Sequence, residues 1–191
     1  AFCSLTLHQG RFIQSRSTGS VTGEAGRMLA APRHPGNISD LGAPSANMYA
    51  MGGRDTDLCR ACRRTSCVYP EICPNLDPDH KPLLTLMREV RKLKGLRKAF
   101  VASGIRMDLA LRCGEYISEV ARFHTGGQLK VAPEHISHRV LAAMRKPSVE
   151  TFTAFAEKFA EASKKAGKEQ YLVPYFISAH PGATLEDMAA L

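Results

Sequence analysis

The feature that most constrains the fold is an alternation of short apolar runs with longer amphipathic segments. The apolar runs lie at 37–41, 99–103, 128–132 and 171–177. Short continuous runs of this kind suit strands that are covered on both faces. Strands that alternate with helices are joined by right-handed crossovers and run parallel to one another. The sequence therefore predicts an α/β fold with parallel strands.

The segments between these runs predict helices. At 151–166, phenylalanine and alanine recur at helical spacing on one side, with glutamate and lysine on the other. Ser148 is the expected N-cap of this helix, and Gly167 is its expected C′ residue. Two further amphipathic helices are predicted, around 83–93 and 115–124. We expect the apolar faces of these helices to form the core.

The number of strand–helix units limits the architecture. A complete eight-unit barrel takes about 250 residues, whereas this chain has 191 residues and accommodates only part of one. An open doubly wound sheet and a barrel are both consistent with the pattern. The insert at 52–82 is rich in Cys, Arg and Pro and has no periodicity, so we expect a large loop. The chain lacks an initiator Met and stops where a helix begins, and we expect both ends to be cut.

A small polar group follows each apolar run. These groups are Ser39 and Asp40, then 103–106, then 133–135, and finally 178–182. In parallel α/β folds the segments that follow the strands meet at the carboxyl edge, where ligands bind. Capping of the following helices would explain one such group easily and four of them poorly. The sequence therefore predicts a ligand pocket formed by these segments.

The insert contains four cysteines: Cys59, Cys62, Cys67 and Cys73. Thiolate is a soft ligand, and four thiolates on a short loop can surround one zinc ion or one iron–sulfur cluster. The spacing matches neither a zinc ribbon nor a bacterial ferredoxin. It therefore predicts a metal site without naming the metal, and packing cysteines or disulfides are the structural alternatives.

The formal net charge of +8 makes nucleic acid a candidate partner. A zinc-loop nucleic-acid-binding module is accordingly an alternative function, although few aromatic residues are present to stack on bases. No apolar run approaches the roughly 20 residues that cross a bilayer, so no membrane partner is expected. No basic leader precedes the apolar start, so we expect a cytoplasmic location, where clustered thiols hold metal more often than they form disulfides.

Several blocks of the sequence resemble YgiQ-type radical SAM proteins, in the expected order and over nearly the whole chain. These blocks are FCSLTLHQGRFIQSRS at 2–17, ISDLGAPSANMY at 38–49, CVYPEICP at 67–74, ASGIR at 102–106, LKVAPEH at 129–135 and the stretch 167–182. The first block resembles the stretch that follows the radical SAM signature CxxxCxxC. The sequence departs from the family at 19–36, which is glycine-rich where the family has a helix. Cys59 also extends the family's C-x4-C-x5-C stretch.

The resemblance implies a partial TIM-like (β/α) barrel with parallel strands, truncated at both ends, as one domain over 1–191 with the Cys-rich insert 52–82 as a loop. It implies that Cys3 is the third signature cysteine and binds a 4Fe-4S cluster whose open iron chelates S-adenosylmethionine. One electron then cleaves S-adenosylmethionine to the 5′-deoxyadenosyl radical, which abstracts hydrogen from an unknown substrate. An electron donor such as flavodoxin or ferredoxin is the implied partner. With one of three signature cysteines, the chain alone is expected to be inactive.

The resemblance also implies where the cofactor is bound. Ser39, Asp40 and Gly42 are expected near the methionine end of S-adenosylmethionine. Glu134 is the candidate for the ribose hydroxyls. The cysteine loop is then expected to be a second iron–sulfur or zinc site.

The remaining implied residues follow two other strands. Ser178 and His180 are expected to close the adenine side of the site. Ser103 and Arg106 are expected to contact the cofactor carboxylate or the substrate.

A Schiff-base or acid–base barrel enzyme is the remaining alternative. Lys130 lies within a predicted strand, where alternation can direct it into a barrel, and Glu134 and His135 follow the same strand. This alternative leaves Cys3 and the cysteine loop unexplained. An enzyme that modifies RNA would reconcile the basic charge with radical chemistry.

Overall fold

The computed structural model describes residues 8–10, 12–43 and 45–191. In chain order, its principal elements are α1 (Thr18–Leu29), β1 (Asn37–Ile38), β2 (Gly52–Gly53), α2 (Thr56–Ala61), β3 (Leu76–Asp77), α3 (Lys81–Arg91), β4 (Lys98–Ala99), α4 (Met107–Ala110), α5 (Gly114–Glu119), a π-helical turn (Val120–His124), β5 (Gln128–Glu134), α6 (His138–Met144), α7 (Val149–Lys165), β6 (Tyr171–Phe176) and α8 (Leu185–Ala190).

The predicted strands pair in parallel. Strand β1 pairs with β4, with Ile38 opposite Ala99. Strand β5 pairs with β6 from Gln128 opposite Tyr171 onward. Within the described part of the chain these pairs form separate two-stranded sheets. The fold is therefore α/β with parallel strands, and the partial barrel stays a prediction.

The pairing of β1 and β4 continues beyond the two regular residues of each strand. The Phe100 N–H donates to the Ile38 carbonyl at 2.9 Å, and the Leu41 N–H donates to the Phe100 carbonyl at 2.6 Å. The Val101 N–H instead donates to the His124 carbonyl at 2.9 Å. The predicted strand at 99–103 is thus shorter as regular structure because its backbone divides its hydrogen bonds between two neighbours.

The main core lies between the strands and the predicted helices. Met87 of α3, Ile117 of α5 and Phe155 of α7 are buried together with Leu129 and Val131 of β5. Complete burial of a side chain the size of Phe or Leu contributes about 1.5–3 kcal/mol. The phenylalanine stripe is core, as the sequence predicts.

The ends of α7 follow the sequence signals. Ser148 is the N-cap residue, and the helix closes at Ala166. Gly167 follows with a φ of +65°, the left-handed conformation that favours glycine. Both boundary predictions are confirmed.

The glycine-rich segment at 19–36 forms a helix over much of its length. Ser17 caps α1 by accepting the Ser20 N–H at 3.2 Å. Ala25 is buried in a second core cluster with Val90 and Ile38. One well-placed cap and a small buried face are sufficient for this helix despite its glycines.

The insert at 52–82 contains more regular structure than its sequence predicts. Strands β2 and β3 form an antiparallel pair at its base, with Gly53 opposite Leu76, and α2 lies inside the loop. None of the described helices combines the length and apolar character that a membrane span requires.

Candidate functional site

Asp40 joins the carboxyl ends of β1 and β4. Its Oδ1 accepts the backbone N–H of Ala102 at 2.8 Å and that of Ser103 at 3.1 Å. Its Oδ2 accepts the Ser103 hydroxyl. The carboxylate therefore fixes the turn that follows β4, and it brings together two of the residues predicted for the site.

Gly42 borders this pair on the same side. A β-carbon at position 42 would lie 2.6 Å from both Asp40 Oδ1 and Ser103 Oγ. Real β-carbons do not approach other atoms so closely, so only glycine fits without displacing the pair. The absence of a side chain at Gly42 thus lets the carboxylate and the hydroxyl pack against its exposed backbone.

Arg106 is held by its backbone and by its side chain. Asn47 Oδ1 accepts the Arg106 N–H at 2.7 Å, and Asn47 Nδ2 donates to the Arg106 carbonyl at 2.9 Å. The Arg106 guanidinium pairs with the Asp108 carboxylate, with Nε 3.0 Å from Oδ1. Arg106 was predicted to contact the cofactor carboxylate or the substrate. In the structure its positive charge is compensated by Asp108.

His80 supports Asn47 from inside the protein. Its Nε2 lies 3.3 Å from Asn47 Nδ2, and its Nδ1 lies 3.0 Å from the Pro78 carbonyl. A neutral ring protonated at Nδ1 satisfies both contacts, because Nδ1–H donates to Pro78 and Nε2 accepts from Asn47. Burial lowers the pKa of His80 and favours this neutral form.

Glu134 ends β5 in an unusual backbone conformation. Its φ is +70°, and the register of β5 against β6 shifts between Val131 and Glu134. Its carboxylate lies 3.1 Å from Lys146 Nζ, which also donates to the Ala132 carbonyl at 3.1 Å. Strain at a strand end near a buried charged pair is typical of functional sites.

One small cavity connects the ends of β4 and β5. Arg106 and Asp108 line it from one side, and Ala132, Pro133 and Lys146 line it from the other. The start of α7 completes its wall. The segments after these two strands therefore meet, as the polar groups at their ends predict.

Two histidines near these strand ends contain buried nitrogens without a hydrogen-bond partner among the described residues. His135 Nδ1 accepts the N–H groups of Ile136 and Ser137, each at 3.0 Å, and its Nε2 is buried and unpartnered. His180 Nδ1 is likewise buried and has no hydrogen-bond partner among the described residues. Such atoms mark positions where a bound polar group would be stabilised.

The remaining predicted residues are less closely connected to this cluster. Ser39 and Ser178 are exposed, and within the described ranges no hydrogen bond links their side chains to Asp40, Ser103 or Glu134. Lys130 of the Schiff-base alternative is also exposed.

The cysteine loop contains a second group of predicted site residues. The Asn75 side-chain amide donates to Cys59 Sγ at 3.2 Å, and the Arg64 backbone N–H donates to Cys62 Sγ at 3.3 Å. The Cys73 N–H donates to the Cys67 carbonyl at 2.8 Å. Within the loop, these four cysteines form no disulfide.

The four loop thiols are neighbours. Burial raises the pKa of Cys67, and the charges of Cys73, Cys59 and Cys62 raise it further. Over residues 8–10, 12–43 and 45–191, no three Cys, His, Asp or Glu side chains already converge as a metal-binding group. The predicted ligand Cys3 lies outside the described residues.

Comparison with known proteins finds relatives that align with the whole chain. The chain is 50% identical over 191 residues to a UPF0313 protein of Methanocella arvoryzae. It is 50% identical over 191 residues to the UPF0313 protein blr7973 of Bradyrhizobium diazoefficiens, and 50% identical over 192 residues to the UPF0313 protein YgiQ of Escherichia coli K12. All of this chain aligns with UPF0313 proteins.

The chain spans 32%, 28% and 26% of the length of these three UPF0313 relatives, respectively. No family model matches the chain. No solved structure matches it either. The resemblance to YgiQ-type proteins is thus confirmed as a similarity to UPF0313 proteins.

Sequence reasoning missed four residues of this candidate site: Asn47, His80, Asp108 and Lys146. Asn47 and Asp108 contact Arg106, Lys146 contacts Glu134, and His80 supports Asn47. Asn47 contacts a histidine 33 residues away and a backbone 59 residues away. The one available signal was a polar residue flanked by apolar neighbours, as Asn47 is between Ala46 and Met48.

Proposed function

We propose that the chain forms part of the S-adenosylmethionine-binding wall of a radical SAM enzyme. The observation that carries the proposal is the Asp40–Ser103 pair beside Gly42, at the carboxyl ends of two adjacent parallel strands. Ligands of parallel α/β folds bind at this edge. Cofactor-binding sites orient their ligands with a small number of precisely placed polar groups.

A 4Fe-4S cluster, when bound, supplies the electron that cleaves S-adenosylmethionine to the 5′-deoxyadenosyl radical. In this proposal Cys3 is one of its ligands, and the other two signature cysteines come from outside the chain. A small one-electron carrier such as flavodoxin or ferredoxin is the proposed reductant.

The residues of this chain bind and orient the cofactor. The methionine end lies at the exposed Asp40–Ser103 pair beside Gly42, where the Asp40 carboxylate and the Ser103 hydroxyl accept hydrogen bonds from an ammonium group. The Glu134 carboxylate accepts hydrogen bonds from ribose hydroxyls while the contact with Lys146 holds it in position. His180 contributes its buried Nδ1 on the adenine side.

The test uses the protein extended to the length of its UPF0313 relatives. It is loaded anaerobically with iron and sulfide, reduced with dithionite and incubated with S-adenosylmethionine, and 5′-deoxyadenosine is measured by chromatography. We expect Glu134→Gln to lower the rate at which 5′-deoxyadenosine forms by roughly tenfold or more, because a charge-assisted hydrogen bond contributes about 1.5–3 kcal/mol.

Lys130→Gln is the matched control, because Lys130 lies on the same strand and is exposed. This control should form 5′-deoxyadenosine at the rate of the unmodified protein. A cluster-loaded, folded protein that forms none at all would overturn the proposed function.

A further inference from the structure

The cysteine loop is tethered at its base. Strands β2 and β3 close it, and Asn75 locks the closure by donating to the Asp55 carbonyl at 2.8 Å and accepting the Asp55 N–H at 2.9 Å. The Arg54 N–H donates to the Asn75 carbonyl at 2.8 Å. The first and last cysteines of the loop are therefore held near one another by contacts that require no metal.

The loop also has its own internal supports. Val68, Ile72 and Cys73 pack against a small core formed by Met51, Leu76 and Leu109. The Arg64 guanidinium bonds the Ser66 carbonyl at 2.7 Å and also the Glu71 carbonyl. This side chain bridges the two halves of the loop that carry Cys62 and Cys73.

Two hydrogen-bond donors point at sulfur atoms. Asn75 Nδ2 contacts Cys59 Sγ, and the Arg64 N–H contacts Cys62 Sγ. Donors of this kind stabilise thiolate over thiol and orient metal-bound sulfur. Gly53 makes room for the first sulfur, because a β-carbon there would lie 2.2 Å from Cys59 Sγ. The loop thus already supplies outer contacts of the kind that surround metal-bound thiolates.

We propose that Cys59, Cys62, Cys67 and Cys73 bind one thiophilic metal centre, either a zinc ion or an iron–sulfur cluster, separate from the proposed cofactor site. All four thiolates serve as ligands, and their protons are released to solvent on binding. Because no three of these groups already converge among the described residues, binding brings the four sulfur atoms closer together.

The access route and the charge of the loop agree with such a centre. Cys67 is exposed and the other three thiols are half-buried, so an ion reaches them without unfolding of the core. Four thiolates around zinc, or around a 4Fe-4S cluster, carry excess negative charge. Arg63 and Arg64 lie within the same insert and offset part of it, whereas Arg54 and Arg60 pair with Asp77 and Asp57.

The experiment uses the chain itself, reduced, freed of metal and divided into two arms. One arm receives zinc alone, and the other receives iron and sulfide without oxygen. We expect about one zinc per chain in the first arm, or brown colour with acid-labile sulfide in the second. A Cys59→Ser and Cys62→Ser double variant should lose this binding, whereas Cys113→Ser should keep it, since Cys113 lies outside the loop.

A second measurement does not depend on whether the variants fold. In the unmodified chain, alkylation followed by mass mapping should find the four loop thiols protected after loading and reactive again after a chelator is added. Cys113 should alkylate at one rate throughout. Equal alkylation of the loop thiols with and without both metal treatments would overturn the proposal.

The two proposals fail independently. Cys3→Ser removes the proposed cluster ligand at the cofactor site and should leave binding by the loop unchanged. Loss of binding in Cys3→Ser, with retention in the Cys59→Ser and Cys62→Ser variant, would assign the metal to the cofactor site and contradict the loop site.

Discussion

The side-chain amide of Asn47 bonds both backbone groups of Arg106, accepting its N–H at 2.7 Å and donating to its carbonyl at 2.9 Å. A side chain that satisfies both groups of one residue acts like a strand partner for that residue. It joins the segment after β1 to the segment after β4, where Asp40 makes the same connection from the opposite direction. The edge of the sheet is therefore fixed twice by side chains.

Asn47→Ala should destabilise the protein by about 1–3 kcal/mol, because the Arg106 N–H loses its acceptor and the Arg106 carbonyl keeps only the Ala110 N–H as donor. Urea denaturation followed by circular dichroism measures this change. Asn37→Ala is the control, since Asn37 is exposed on β1. A loss for Asn47→Ala no larger than that of the control would contradict the role of the amide.

The stability of the protein should fall as pH drops below about 6.5, the usual pKa of histidine. Burial lowers the pKa of His80 in the folded state, and burial likewise lowers that of His124. The unfolded chain then binds protons that the folded chain does not, so the free energy of unfolding decreases toward acid. Protonation of His80 would also turn its Nε2 into a donor that faces the Asn47 amide.

His80→Gln should reduce the slope of unfolding free energy against pH between about 6.5 and 5. Denaturation curves at several pH values measure this slope. His138→Gln is the control, because His138 is exposed. An unchanged slope in His80→Gln would show that His80 does not contribute to it.

Gly42→Ala should destabilise the protein by about 1–3 kcal/mol, the usual cost of adding a methyl group to a tightly packed position. The added β-carbon would collide with Asp40 Oδ1 and Ser103 Oγ. Gly104→Ala is a matched control, since Gly104 directly follows Ser103 and a β-carbon there has no neighbour within 4 Å. Thermal unfolding compares them, and equal melting temperatures would refute the predicted collision.

Lys168→Met should destabilise the protein by about 1–3 kcal/mol, because several carbonyls lose a charged donor. Lys168 Nζ lies 2.7 Å from the Arg122 carbonyl and 3.1 Å from the Ala121 carbonyl, at the end of the π-helical turn. Hydrogen exchange should accelerate at 120–125 in this variant. Lys165→Met, at an exposed position on α7, should leave the free energy of unfolding and the exchange rates at 120–125 unchanged.

Local patterns predicted the helices well but not their finer geometry. The helix at 149–165 was predictable because its apolar period, N-cap and Gly167 all lie within one stretch of sequence. The π-helical turn at 120–124 was not predictable. Its carbonyls are bonded by Lys168 and by the Gln170 amide, from more than 40 residues away.

The candidate site also contains some residues that the sequence could predict and others that it could not. Asp40, Ser103 and Glu134 were predictable because each follows a strand, and strand ends meet at one edge. Asn47 and His80 were not, because no period links positions so far apart in the chain. What the sequence pattern lacks is the set of tertiary hydrogen bonds that hold the predicted residues in place.

The backbone conformation at Glu134 is one that favours glycine over glutamate. A φ of +70° suits glycine, and holding a glutamate there costs about 1 kcal/mol or more. Substitution by glycine would relax the chain and at the same time delete the carboxylate that pairs with Lys146. Selection for higher thermal stability would therefore favour glycine at position 134. Any stability gained in this way would be accompanied by loss of the function of the carboxylate.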